Sequence, residues 1–205
     1  MSLLRGNPCE GRSRAHLYAA LACVVVTLAV VRPALASPRA IDVQHSKITV
    51  LVYKQGLFSF LADNHTIDAP IASGRYDSAT KTIELTVEAA KLRVLDPKLP
   101  ASRRDSVQAA MTEQVLDAAK YPTISFRSTA IDERDPKRWT ITGNLTLHGA
   151  TRPVTFVVQR ADASHFTGSA TIIQTAFGIT PIRVAGGTVS VKDEVTVEFE
   201  IALSP

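Results

Sequence analysis

Alternation is the feature that most constrains this chain. In Thr82–Glu88, Ile83, Leu85 and Val87 alternate with Thr82, Glu84, Thr86 and Glu88. From Glu194 to Leu203, Val195, Val197, Phe199 and Ile201 alternate with Thr196, Glu198 and Glu200. Successive side chains of a strand point to opposite faces, so a period of two predicts strands with one face in a core and the other in water. Lys47–Lys54 reads the same way, and further strands are predicted over His65–Tyr76, Thr123–Ile131, Trp139–His148, Pro153–Arg160 and Phe166–Thr175. Turn chemistry separates them at Asp77–Thr80, Asp132–Arg138, His148–Thr151, Ala161–His165 and Ala185–Thr188.

One stretch breaks the period. Between Ser102 and Ala119, Val107, Ala110, Met111, Val115 and Ala118 recur at helical spacing, with Ser102 and Asp105 able to cap the start and Tyr121-Pro122 to end it. The prediction is an all-β fold of about eight antiparallel strands with one inserted α-helix. A sandwich or a closed barrel satisfies it, and periodicity does not choose. Closure removes exposed edges, and an eight-stranded barrel can hold one small ligand.

The N-terminus reads differently. Arg5, Arg12 and Arg14 precede an apolar run from Leu17 to Val31, then Arg32, Pro33 and the small-residue run Ala34-Leu35-Ala36. That order predicts a secretory signal peptide over residues 1–36, cut after Ala36. The apolar run falls short of the roughly 20 residues of a membrane-crossing helix, so no stable membrane span is expected after cleavage. An uncleaved anchor is the alternative. Both cysteines, Cys9 and Cys23, lie in this leader. The predicted mature domain, Ser37–Pro205, therefore has no disulfide and no thiolate site. Four arginines and one glutamate also precede Ser37, leaving 19 basic and 18 acidic residues after it. A net charge near +1 gives no electrostatic footprint for nucleic acid or an anionic membrane.

Several blocks in fixed order complete the reading. They are Asp42-x-x-His45-Ser46, Gly74, the helix followed by Tyr121-Pro122-Thr123-Ile124-Ser125-Phe126-Arg127-Ser128-Thr129, then Gly143 through Val154, and Phe177-Gly178-Ile179. With them the chain resembles the YceI-like, lipocalin-like polyisoprenoid-binding proteins from about Ile41 to Leu203. The resemblance implies an eight-stranded antiparallel lipocalin-like barrel with a helix near one mouth, an elongated apolar cavity, and an exported, periplasmic or secreted carrier. The cargo it implies is an amphiphilic lipid such as a quinone or polyprenyl phosphate, and it brings no catalytic residues. Gly56–His65 and Gln174-Thr175-Ala176 depart from the family's usual pattern.

The candidates to line the cavity are Leu57, Phe58, Phe60, Phe126, Trp139, Ile141, Phe156, Ile172 and Phe177. Such residues also fill the interior of any small barrel. Candidate headgroup contacts are His65, in a polar loop, and Arg103 and Arg104 at the helix start. Basic residues at a helix N-terminus are equally read as solvated charges. His45, His65, His148 and His165 do not show the spacing of a zinc site, and no metal or other cofactor is expected beyond a bound isoprenoid lipid. Serine-nucleophile, phosphate-loop and dinucleotide motifs are missing, so a binding protein rather than an enzyme is expected. The alternatives are an enzyme using His65 with Asp63 or Asp68, and an envelope interaction module with a solid barrel. A homodimer is compatible with the sequence.

Overall fold

The computed structural model describes residues 37–56, 64–184 and 189–205. The expected leader over residues 1–36 and the expected cavity residues Leu57, Phe58 and Phe60 lie outside the described residues. The strands are β1 (Arg39–Ala40), β2 (Lys47–Gln55), β3 (His65–Asp68), β4 (Ile71–Asp77), β5 (Thr82–Glu88), β6 (Arg93–Val94), β7 (Thr123–Asp135), β8 (Arg138–Leu147), β9 (Ala150–Arg160), β10 (His165–Ile173), β11 (Arg183–Val184) and β12 (Val189–Ala202). All pairings are antiparallel, in the order β1-β4-β5-β7-β8-β9-β10-β12-β2-β3-β6, with β11 on β12.

The expected single strand His65–Tyr76 is two. Ala69-Pro70 breaks it, because proline has no N–H to donate to a ladder. Ala69 N–H still donates to Ile48 O at 2.9 Å, on the β2 side. Past Pro70, Ile71 pairs with Val87 of β5. One bent run thus pairs with β2 through its first half and with β5 through its second. The covalent bend joins the two ends of the sheet, and the curled sheet is a lipocalin-like barrel of eight runs with short flanking strands.

The N-terminal segment sews a second seam. Ile41 N–H donates to Gly74 O at 2.9 Å, Asp42 N–H to Ala202 O at 2.8 Å, and Ser204 N–H to Ala40 O at 2.8 Å. Beside them the Arg39 guanidinium donates to Ser204 O, Leu203 O, Ala163 O and Ser164 Oγ. At the other end, β8 and β9 are joined through His148-Gly149. Leu147 pairs with Ala150, and both loop residues have positive φ, 50° and 75°. That is the backbone of a two-residue hairpin turn whose twist matches the strands.

The inserted helix α1 covers Ala101–Ala110 and continues as a wider π turn over Met111–Val115. Two expectations change here. Neither Ser102 nor Asp105 caps it. Pro100, with φ −54°, occupies the cap position, and its ring fixes the entry into the first turn. The helical run also stops before Ala119, because Asp117 takes a left-handed φ of 43°. Strand β10 likewise ends at Ile173, where Gln174–Phe177 forms a 3-10 turn closed by Gly178 at φ 75°.

Candidate functional site

The inner faces of the long strands enclose a cavity of about 290 Å³, so the barrel is not solid. Ile41, Trp139, Phe166 and Leu203 line it toward the end of the β4–β5, β7–β8 and β9–β10 turns. Met111, Val115 and Leu116, at the end of the helical segment, line it toward the other mouth. The cavity therefore follows the barrel axis. Among its described lining residues only Tyr76, Trp139 and Gln174 carry a side-chain oxygen or nitrogen.

A belt of aromatic rings crosses its middle. Phe156 lies between Phe126 and Phe199, with ring centroids 5.4 Å away on each side. The intervening strands carry glycine at the same level. A Cβ on Gly143 of β8 would lie 2.4 Å from Phe126 Cζ, and one on Gly168 of β10 would lie 2.6 Å from Phe199 Cζ. Aromatic and glycine positions thus alternate over five neighbouring strands. The glycines leave room for rings that a β-branched residue would push into the cavity. The belt divides the interior without filling it.

The polar groups of the lining are tied down or apolar in setting. Gln174 is buried and its Nε2 donates to Lys192 O at 2.8 Å. Tyr76 Oη donates to Glu133 Oε1 at 2.9 Å, and Glu133 is also paired with Lys81. Burial, then the bond to Glu133, holds the Tyr76 phenol well above the usual tyrosine range. Trp139 Nε1 is buried without a hydrogen-bond partner among the described residues, and the Arg160 guanidinium lies 5.3 Å from the indole centroid. Nothing in this set resembles a nucleophile with an adjacent base, and no group of three His, Cys, Asp or Glu among the described residues is arranged for a metal.

Of the expected cavity residues, Phe126, Trp139, Ile141, Phe156 and Ile172 are in the lining. Phe177 is buried beside it, in a small cluster with Ile172 and Val195, and does not reach the space. It sits in the 3-10 turn that follows the end of β10, beyond the last residue of the expected strand Phe166–Thr175. His65, Arg103 and Arg104 are outside the lining. His65 stands at the start of β3, with Nδ1 2.6 Å from Asp96 Oδ2, while Asp96 Oδ1 accepts Thr66 N–H at 2.8 Å. Asp96 is 7% exposed, so the imidazole is held by a buried carboxylate 31 residues on. The pairing of His65 with Asp68 does not form, because Asp68 lies three residues along the same strand, opposite Thr49 and Arg93. Asp63 lies outside the described residues. Arg103 and Arg104 occupy the first turn of α1 without an ion pair among the described residues. Asp96 and Phe199 were missed by sequence reasoning. Phe199 was findable, since it falls on the inward phase of β12, whereas nothing local marks Asp96.

Comparison with known proteins decides the family. The YceI-like domain matches residues 40–203, nearly the whole described barrel. The chain belongs to the YceI-like family. Curated members similar to it include a UPF0312 protein of Pseudomonas putida, 54% identical over 41 residues, or 20% of this chain and 21% of that protein. A UPF0312 protein of Pseudomonas savastanoi pv. phaseolicola is 38% identical over 77 residues, or 33% of this chain and 40% of that protein. These alignments span only about a fifth to two fifths of the relatives' length. Two solved structures cover most of the chain. A polyisoprenoid binding domain from Saccharophagus degradans superposes with TM-score 0.58 at 14% identity, over 81% of this chain and 97% of that one. Burkholderia cenocepacia BcnA superposes with TM-score 0.55 at 22% identity, over 80% and 99%. At these identities the likeness is one of fold.

Proposed function

We propose that this YceI-like protein is an exported binding protein that sequesters an isoprenoid-type lipid, a quinone or a polyprenyl phosphate, in its barrel, and that it is not an enzyme. The observation that carries this reading is the axial cavity lined almost wholly by hydrocarbon. An isoprenoid chain has no polar group to satisfy, and each 100 Å² of it removed from water is worth about 2.5 kcal/mol. A wall whose described lining carries side-chain oxygen or nitrogen only at Tyr76, Trp139 and Gln174 fits such a tail and disfavours a polar substrate. The printed description of the Saccharophagus degradans domain as polyisoprenoid-binding supports the same class. The headgroup would remain at the helix-bearing mouth, where His65 offers an Nε2 whose ring is fixed by Asp96. The leader over residues 1–36 is the basis for placing the carrier in the envelope or outside the cell.

Two measurements test it. Native mass spectrometry of the protein purified from cells, followed by organic extraction, should reveal a stoichiometric adduct of isoprenoid mass. Trp139 is the chain's one tryptophan and lines the cavity, so its fluorescence reports occupancy directly. Titration with a prenylated quinone should quench it saturably. A bare mass together with unquenched fluorescence would defeat the carrier reading.

A further inference from the structure

The run from Lys91 to Arg104 is built with two chemically opposite sides. Leu92, Val94 and Asp96 face inward and are buried, while Lys91, Arg93 and Leu95 face outward and are exposed. Leu92 lines the cavity. The run's one carboxylate, Asp96, is turned in and bound to His65 and Thr66. Its five cations, Lys91, Arg93, Lys98, Arg103 and Arg104, form no ion pair among the described residues. Leu95 stands among them at 41% exposure, followed by the exposed Pro97.

The neighbouring acids do not cancel this charge. Asp68 lies opposite Arg93 in register, Glu88 shares a surface depression with Lys91 and Arg93, and Asp105 follows Arg104. Against five cations these three leave an excess of positive charge around an apolar residue. The run is anchored from behind, because Gln108 of α1 donates to Leu92 O and accepts Val94 N–H, both at 2.9 Å. Its strand portion, β6, is also a terminal strand of the sheet, paired on one side by β3.

We infer that the outer face of residues 91–104 is a docking surface for an anionic lipid bilayer. The cations meet the headgroups and Leu95 enters the interface, in the manner of peripheral anchors that combine basic and apolar residues. Docking there brings the helix-bearing mouth to the membrane. This goes beyond the cargo-binding reading and stands without it. Charge on an edge strand also deters edge-to-edge pairing between copies, which is the rival use of these side chains.

The test is co-sedimentation of the protein, purified with the N-terminus that the cells leave on it, with phosphatidylcholine vesicles made with and without phosphatidylglycerol. The wild type should bind only the anionic vesicles and be released by salt. Each cation at an anionic surface is worth about fivefold in partitioning, so K91Q/R93Q/K98Q should lose on the order of 100-fold at low ionic strength. Leu95→Ala should lose roughly tenfold with no change in charge. K47Q/K137Q/R138Q removes the same charge at the opposite end of the barrel and should bind as wild type does. Equal binding by the two triple variants, or wild-type binding that ignores phosphatidylglycerol, would overturn the proposal. So would a Lys91 triple variant that binds vesicles normally but self-associates. Trp139 quenching by quinone, read on the same samples, should survive in every variant. Loss of quenching in the wild type alone would strike the cargo reading and leave the docking surface standing.

Discussion

The phenyl ring of Phe126 occupies the space into which a side chain at Gly143 would project: a Cβ there would meet Phe126 Cζ at 2.4 Å and Arg127 O at 2.6 Å. One contact is with a ring and the other with backbone, so rotating the ring does not relieve both. Gly143→Ala should destabilise the barrel by about 1–3 kcal/mol, read as a lowered thermal midpoint. It should also push Phe126 into the cavity and weaken lipid retention. A midpoint equal to that of wild type would mean that the strands yield where the geometry says they cannot.

Phe156 is the centre of the aromatic belt, in contact with rings on both sides. Phe156→Ala should cost roughly 3 kcal/mol of stability, since removal of a large core ring leaves space that the structure only partly recovers. The variant should nevertheless accept bulkier prenyl chains than wild type does. Phe156→Asp puts a charge in the same wall and should abolish retention in protein that still folds by circular dichroism.

Asp96 holds two partners from a buried position. Asp96→Ala should cost on the order of 2–3 kcal/mol, because Thr66 N–H and the His65 ring lose a charge-assisted acceptor. Asp96→Asn keeps an acceptor for Thr66 N–H and should cost less. Denaturant midpoints of the two variants would rank them, and reversal of that order would contradict the hydrogen-bond account.

Tyr76 predicts a pH dependence. Its folded-state pKa lies above the ordinary 10.0, so above pH 10 the unfolded chain loses the phenolic proton first. The folded state then binds more protons than the unfolded one, and stability falls as pH rises. Below pH 10 the group is protonated in both states and contributes no slope. Chemical denaturation from pH 8 upward should show this alkaline loss in the wild type, and a shallower one in Tyr76→Phe.

Most of the barrel was legible because alternation is a backbone fact written into side chains. Thr82–Glu88 carries it without interruption and forms a strand over the same residues. His65–Tyr76 shows where pattern reading slips: hydrophobic phase carries across Ala69-Pro70, but hydrogen bonding does not. The same limit explains the site. Phe126, Ile141 and Phe156 belong to strands whose inward phase is local information. Phe177 sits just past a strand end, where a 3-10 turn resets the phase. The partner of His65 was out of reach, because Asp96 meets it through the pairing of β3 with the 93–96 segment. No spacing rule along the chain encodes that meeting.

The seam between the two ends of the domain has a kinetic meaning. Arg39 and Ala40 are held by Leu203 and Ser204, contacts that span more than 160 residues. A ribosome releasing this chain has long since emitted Arg39 when Ser204 is made. The barrel can therefore acquire its hairpins one after another during synthesis, but it cannot shut until translation has passed the last strand. Folding dominated by such distant pairings is slow. The open intermediate would display its apolar inner faces for that whole interval, which is when a hydrophobic cargo, a chaperone or another unclosed copy has equal access to them.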